Sequence, residues 1–225
     1  DHLAVAFDLK EPTFRHKMYA DYKGTRKPMP EELREQVPLM KEVLTAMGVP
    51  ILTMAGYEAD DILGTVAKRC QAEGEEISVV SGDRDLLQLA DAHIKIRIPK
   101  TSRGNTEIHD YYPEDVKREY QVTPIEFIDV KALMGDTSDN IPGVPSIGEK
   151  TATNLIVAYG SIENAYAHLD EVKPPRAKKA LEEHYDLAVM SKELAEICIT
   201  CPIPFEYEEA KLENLYTPEA YQYMK

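Results

Sequence analysis

Short apolar runs of strand length recur in the first part of the chain, and each stops at carboxylates. Ala4-Val5-Ala6-Phe7 ends at Asp8, and Ile51-Leu52-Thr53-Met54 leads through Ala55-Gly56-Tyr57 to Glu58, Asp60 and Asp61. Ile77-Ser78-Val79-Val80 leads through Ser81-Gly82 to Asp83 and Asp85. Between these runs the period changes to that of a helix. Leu33, Val37, Met40, Val43, Leu44 and Met47 share one face of a helix over about 31–47, which Gly48 stops. Ile62, Leu63, Val66, Ala67 and Cys70 share an arc of the next helix. Strands separated by helices predict parallel pairing, with the C-terminal strand ends along one edge of a sheet, where open α/β sheets place their sites.

The remaining segments are read in the same way. Residues 10–30 are polar and basic without a clear period, and long enough for a functional loop or lid. Ile94–Ile98 and Glu107–Asp110 can pair as a hairpin around Ser102-Arg103-Gly104-Asn105. From Pro113 onward the β-branched runs stop and the pattern is helical. Thr123 caps a helix with Pro124 at its first position and Gly135 at its end, and a helix over Glu149–Tyr159 closes at Gly160. After Cys201 the chain is weakly patterned, with a short helix from Pro218. The prediction is an α/β fold: a parallel-core sheet flanked by helices over 1–112, then a helical unit over 113–225.

Composition narrows the class. With 43% hydrophobic and 29% charged residues, the 225-residue chain is that of an ordinary globular protein. Its apolar runs are too short to span a bilayer, and Asp1-His2 does not begin a signal peptide. Cys70, Cys198 and Cys201 are an odd set, which fits a reducing cytoplasm. Cys198 and Cys201 form a C-x-x-C that follows a helical stretch and precedes Pro202, so it is read as structural.

A net charge of −14 argues against nucleic acid, but placement matters more than the sum. Lys10, Arg15, Lys17, Lys23, Arg26 and Lys27 face only Glu11 and Asp21 in sequence, and Lys173, Arg176, Lys178 and Lys179 form a run without acids. Both stretches can also be plain solvated surface. The acids that end the strands would repel one another unless something positive sits among them. Hard oxygen ligands without histidine or cysteine suit Mg²⁺ or Mn²⁺. Glu58, Asp60 and Asp61 have a competing structural reading, because acids in a first helical turn favour the helix dipole. Asp136 and Asp139 precede a Gly/Pro-rich turn in which Gly143 and Gly148 let the backbone approach a partner. Lys150 and Thr151 then open a helix whose N–H groups favour phosphate. A plain helix-turn-helix linker explains the glycines but not the two aspartates.

Asp8, Tyr22-Lys23-Gly24-Thr25-Arg26, Gly56-Tyr57-Glu58-Ala59-Asp60-Asp61, Gly82-Asp83-Arg84-Asp85 and the block from Gly135 to Ala152 occur here in one order. In that order the chain resembles the structure-specific 5′ nucleases, the family of the N-terminal 5′→3′ exonuclease domains of bacterial DNA polymerase I and of flap endonucleases. The resemblance covers essentially the whole chain. It implies a PIN-like 5′ nuclease core with a helical arch at about 15–35. A helical DNA-binding subdomain would follow, with a helix–three-turn–helix at about 131–160 and a C-terminal tail.

The resemblance also implies residue roles. Asp8, Glu58 and Asp60, with Asp61 adjacent, would surround a first metal, and Asp83, Asp85, Asp136 and Asp139 a second, some through water. Arg15, Tyr22, Lys23 and Arg26 would contact DNA, with Tyr22 stacking on a base and Lys23 and Arg26 acting catalytically on the scissile phosphate. Gly143, Ile147, Gly148, Lys150 and Thr151 would grip duplex backbone, with K⁺ at that turn. The implied cofactors are two Mg²⁺, with Mn²⁺ as the alternative. The implied activity is hydrolysis of DNA at 5′ ends, nicks and flaps, in primer removal and repair. The implied setting is a cytoplasmic monomer with no membrane partner and a polymerase domain on the same polypeptide, after Lys225.

The family begins with a further strand whose aspartate serves the first metal. Asp1 precedes its own strand, at the wrong end to replace that aspartate, so the chain is expected to be a fragment. A catalytically impaired DNA-structure-binding module is therefore the second reading. A third, an acidic-cluster phosphatase or ribonuclease of a related fold, is opposed by the Gly135–Ala152 block. The span from Arg15 to Glu35, poor in apolar residues, is expected to be mobile without DNA.

Overall fold

Two strands, β1 (Val5–Ala6) and β2 (Ile51–Leu52), pair in parallel with Val5 opposite Ile51. A second sheet holds β3 (Ile77–Val80), β4 (Ile94–Ser102) and β5 (Asn105–Tyr111). In it β3 runs parallel to β4, and β4 antiparallel to β5 in a hairpin. The computed structural model describes residues 1–102 and 104–223, so Arg103 at the hairpin turn, Met224 and Lys225 lie outside the described residues.

The parallel pairings and the hairpin follow the sequence pattern, but the single shared edge does not. No strand pairing among the described residues joins β1–β2 to β3; the two sheets are connected instead through α3 (Ala59–Ala72), which packs on both β1 and β3. Alternation along β4 is that of a half-buried strand. Ile94, Ile96 and Ile98 are buried, while Lys95 and Arg97 reach Asp110 of β5 at 3.4 and 2.8 Å.

Between β1 and β2 lie α1 (Phe14–Met18) and α2 (Glu31–Ala46). The apolar stripe predicted along α2 is present, yet no residue of that helix is buried, and Leu33 and Met40 are each 47% exposed. Among the described residues only β2 and the late helix α10 (Pro218–Tyr223) pack closely on it, with Thr217 Oγ1 donating to Ala46 O at 2.7 Å.

The helical half comprises α4 (Pro113–Tyr120), α5 (Pro124–Met134), α6 (Glu149–Tyr159), α7 (Ile162–Ala167), α8 (Pro175–Glu183) and α9 (Tyr185–Ala195). At α5 the predicted cap is present. Thr123 Oγ1 accepts from Glu126 N at 3.3 Å, Glu126 answers on Thr123 N at 2.7 Å, and Gly135 ends the helix at φ 73°. The main core runs without a break from Val79, Leu86 and Ile96 through Leu133 and Ile156 to Leu181. The chain after α9 then returns to α3, where Cys201 and Ile203 are buried with Ile62. All three cysteines are free thiols.

Candidate metal and nucleic-acid site

The carboxylates that follow the strands meet around the start of α3. Asp8 Oδ1 accepts the N–H of Ala59 at 2.8 Å, which brings the end of β1 to the first turn of α3. Asp60 is half-buried there and has no hydrogen-bonded or ion-paired partner among the described residues. Burial, then the charges of Asp83 and Asp8, push its carboxyl up to about 7, and Lys23 offsets only part of this. Asp83 caps the 3₁₀ turn Arg84–Leu89 by accepting Asp85 N at 2.9 Å. Asp8, Asp60 and Asp83 are thus a patch of weakly compensated negative charge.

Beside that patch Asp85 and Asp136 share one cation. Lys131, on α5, stands 2.8 Å from Asp85 Oδ1 and also pairs with Asp136 Oδ2. Burial opposes ionisation at Asp136, but Lys131 and Ser138 together hold its carboxyl down to about 2. At Asp85 burial outweighs Lys131, so that carboxyl is raised. Ser138 Oγ lies 2.7 Å from Asp136 and 3.2 Å from Asp139, which places Asp139 beside the same cluster. Lys131 and Ser138 were not among the residues singled out by sequence. The only local signal for Lys131 is that it is the one basic residue of a helix whose other charges, Glu126 and Asp129, are acidic.

The loop carrying Asp136 and Asp139 is closed by reciprocal backbone bonds between Asp136 and Ile141 at 3.0 and 2.8 Å. Gly135 and Gly143 stand back to back at its neck, with φ of 73° and 63°. A Cβ on Gly135 would lie 2.6 Å from Ile141 O, and one on Gly143 would run into Gly135 N. Gly143 is therefore needed for packing within the loop rather than for approach by a duplex. Ile147 is likewise a core side chain, 3% exposed. Gly148, by contrast, faces open space at the start of α6, beside exposed Lys150 and half-buried Thr151. Arg176, from the second basic stretch, donates to Ser146 Oγ at 3.0 Å and so joins that stretch to the turn.

The first basic stretch is docked on these acids. Lys23 Nζ is 2.7 Å from Glu58 Oε1 and 3.7 Å from Asp139 Oδ2, and Arg26 pairs with Asp139 Oδ1. Lys23 N donates to Asp139 O at 2.8 Å, and Asn140 Nδ2 to Asp21 O at 2.6 Å. The span from Arg15 to Glu35, expected to be mobile, is packed at its front. Its ion pairs and buried polar contacts leave no periodic trace in sequence.

Three expected roles change here. Tyr22 is 3% exposed, with its hydroxyl 3.0 Å from Glu58 and 3.2 Å from Asp139, so its ring is not presented to a base. Burial first, then those two carboxylates, hold that hydroxyl far above the ordinary tyrosine range. Arg15 is 2% exposed and spends its guanidinium on protein groups, so it does not meet a phosphate. Asp61 is fully buried and accepts from Arg15 twice, from Glu58 N and from Cys198 N. A carboxylate has about four lone-pair sites, and these bonds use them, so Asp61 does not ligate a metal.

The donor chemistry of the remaining carboxylates fits a hard divalent cation. Their spacing is open: among the described residues no three His, Cys, Asp or Glu side chains stand close enough to surround one ion. Lys23, Arg26 and Lys131 lie between the carboxylates instead.

Comparison with known proteins supplies the family. The 5′-3′ exonuclease N-terminal resolvase-like domain matches residues 1–121, and the 5′-3′ exonuclease C-terminal SAM fold matches residues 122–217. The chain belongs to the 5′-3′ exonuclease family. DNA polymerase I of Bacillus caldotenax is 47% identical over 208 residues, covering 92% of this chain and 24% of that protein. The Bacillus subtilis enzyme is 48% identical over 202 residues, covering 90% and 23%. The chain thus spans about a quarter of the length of these curated relatives.

Among solved structures, bacteriophage T5 5′-exonuclease with bound zinc matches with a TM-score of 0.73 at 24% identity, over 88% of this chain and 75% of that one. The T5 flap endonuclease complexed with DNA and metal ions gives the same values. At that identity the likeness shows the fold: an α/β nuclease core followed by a helical unit. No helix among the described residues of this exonuclease-family chain is long and apolar enough to cross a membrane.

Proposed function

We propose that this chain is a divalent-metal-dependent, structure-specific 5′ nuclease that hydrolyses DNA phosphodiesters at 5′ ends, nicks and flaps. The observation that carries the reading is the meeting of Asp8, Asp60, Asp83, Asp85, Asp136 and Asp139 with Lys23, Arg26 and Lys131 among them. Salt bridges alone do not require so many acids in one cluster, and Asp60 lacks any partner among the described residues. Membership in the 5′-3′ exonuclease family points the same way.

Asp8, Glu58 and Asp60 would hold one Mg²⁺ or Mn²⁺, and Asp83, Asp85, Asp136 and Asp139 a second. When bound, such a pair polarises a phosphate oxygen, lowers the pKa of a water and stabilises the leaving 3′-oxygen. Lys23 and Arg26, each on a flexible stem, move from Glu58 and Asp139 onto the nonbridging oxygens of the scissile phosphate. No side-chain nucleophile is needed. Gly148, Lys150, Thr151 and Arg176 hold duplex phosphates, with K⁺ at the turn. Primer removal and repair, beside a polymerase domain on one polypeptide, is the setting that the DNA polymerase I relatives support.

One observation favours the second reading, a DNA-structure binder with impaired catalysis: no three ligands close around one ion among the described residues. A 5′-labelled flap DNA separates the two. Mg²⁺-dependent release of the flap supports the nuclease, whereas tight binding in Ca²⁺ with no product in Mg²⁺ supports the binder.

A further inference from the structure

The resemblance assigns Arg15 to DNA and Asp61 to a metal, but the geometry gives them to each other. An arginine has five N–H donors in a fixed fork. Here Nε donates to Leu194 O at 2.9 Å, Nη1 to Asp61 Oδ2 at 2.8 Å and Glu58 Oε2 at 3.3 Å, and Nη2 to Asp61 Oδ1 at 2.8 Å and Glu196 O at 2.6 Å. No donor is left over. Asp61 answers with four accepted bonds, the other two from Glu58 N and Cys198 N, both at 2.9 Å. One bidentate ion pair therefore ties α1, the first turn of α3, the end of α9 and the segment that follows it.

We propose that Arg15 and Asp61 are positioning residues that aim Glu58 at the carboxylate cluster around the start of α3. The inference rests on the function proposed above. Glu58 is held at both ends by the pair: its N–H by Asp61, its Oε2 by Arg15. Tyr22 and Lys23, from the segment that α1 leads into, complete the set on Oε2 and Oε1. A buried ion pair adds little net stability over a well-packed apolar pair. What a fork-to-carboxylate pair provides, and apolar packing does not, is direction. The same pair makes Glu58 sensitive to residues 194–198, which Gln88 also grips by accepting from Ile197 N at 2.8 Å and donating to Ala195 O at 3.0 Å.

The test uses the full-length protein with Arg15→Lys, the double variant Arg15→Met/Asp61→Leu, and Asp83→Asn as a ligand control. Three quantities are read: the unfolding midpoint without metal, Ca²⁺ binding by calorimetry, and the Mg²⁺ needed for half-maximal flap cleavage. Loss of a residue that orients a ligand costs roughly tenfold or more in metal affinity. Folded Arg15→Lys is expected to need about that much more Ca²⁺ and Mg²⁺, with DNA affinity at saturating Ca²⁺ unchanged. The double variant leaves the carbonyls of Leu194 and Glu196 and the N–H groups of Glu58 and Cys198 without these partners, so its unfolding midpoint is expected to fall. Measured well below that midpoint, its metal affinity is expected to be low, and it carries the test even if Arg15→Lys folds poorly. Wild-type metal affinity in both would overturn the proposal and leave a purely structural strut. Lost DNA affinity with normal metal binding in Arg15→Lys would also overturn it, in favour of a phosphate contact. If Asp83→Asn too bound ions and cleaved as wild type, the proposed site itself would fall, and this inference with it.

Discussion

Lys131 Nζ stands 2.8 Å from Asp85 Oδ1, joining α5 to the turn that follows β3. The same ammonium holds Asp136, so one side chain from the helical half organises two carboxylates of the candidate site. Burial disfavours its charge, yet the two aspartates raise its pKa above the ordinary lysine value.

Replacing Lys131 with methionine leaves Asp85 and Asp136 facing each other without a counter-charge. Breaking a buried pair from one side costs about 3–5 kcal/mol, and the partial exposure here reduces that to about 2 kcal/mol. Mg²⁺ is expected to restore more stability to Lys131→Met than it adds to wild type, because it supplies the missing charge. Denaturant titrations with and without Mg²⁺ check this, and an equal gain in both proteins would refute it.

Asp60 gives a pH dependence of definite sign. Its folded pKa of about 7 lies above the ordinary aspartate value of 3.8. The metal-free folded state therefore binds the proton more readily than the unfolded chain. The Asp60 contribution improves stability as pH falls through about 7 towards 4, and is a penalty above about 7. Asp60→Asn is expected to be more stable than wild type by about 2 kcal/mol near pH 8, a difference that closes towards pH 4. Metal-free unfolding at a series of pH values measures it. A variant less stable at pH 8 would show that the carboxylate is not strained there.

Much of this arrangement is legible in the order of residues alone. The caps of α5, the stop at Gly160 and the 3.6-residue arc of α3 are local signals, and they set the helices that carry Asp60, Lys131 and Lys150. Asp8, Glu58, Asp60, Asp83 and Asp85 follow strands, where the alternation of strand and helix puts them, whereas Asp136 and Asp139 follow the end of α5. The roles of Arg15 and Tyr22 are not legible, because their partners are remote. Arg15 Nη2 bonds to Glu196 O, 181 residues away, and Tyr22 to Asp139, 117 away. A polar, basic stretch without a period looks like a loop whether its charges face water or buried carboxylates. The stripe on α2 misleads in the opposite way, because period reports which face is apolar and not whether anything covers it.

The two glycines of the turn are expected to respond differently. Gly143→Ala forces a Cβ into Gly135 N at a positive φ, which is expected to cost at least about 2 kcal/mol and to distort the loop holding Asp136 and Asp139. Gly148→Ala meets open space at φ −93°, so its stability should stay within about 0.5 kcal/mol. If duplex backbone approaches at Gly148, that variant loses DNA affinity while keeping its fold. Thermal unfolding and binding of a flap substrate in Ca²⁺ check both, and unchanged affinity in Gly148→Ala would place the duplex elsewhere.

Lys150 and Lys23 separate holding DNA from cleaving it. Lys150 is exposed at the start of α6, whereas Lys23 reaches Glu58 at 2.7 Å inside the carboxylate cluster. Each phosphate neutralised contributes about −0.9 to the slope of log K against log salt. Lys150→Ala is expected to flatten that slope by about one contact and to weaken all duplex sequences alike. Lys23→Ala is expected to lower turnover at saturating DNA by at least about a hundredfold while affinity changes far less, since its charge acts on the reacting phosphate. Affinity is measured in Ca²⁺ and turnover in Mg²⁺. If Lys23→Ala instead lost binding and kept its turnover, the phosphate-activating role would pass to another cation of the cluster, with Arg26 next in line through its pairing with Asp139.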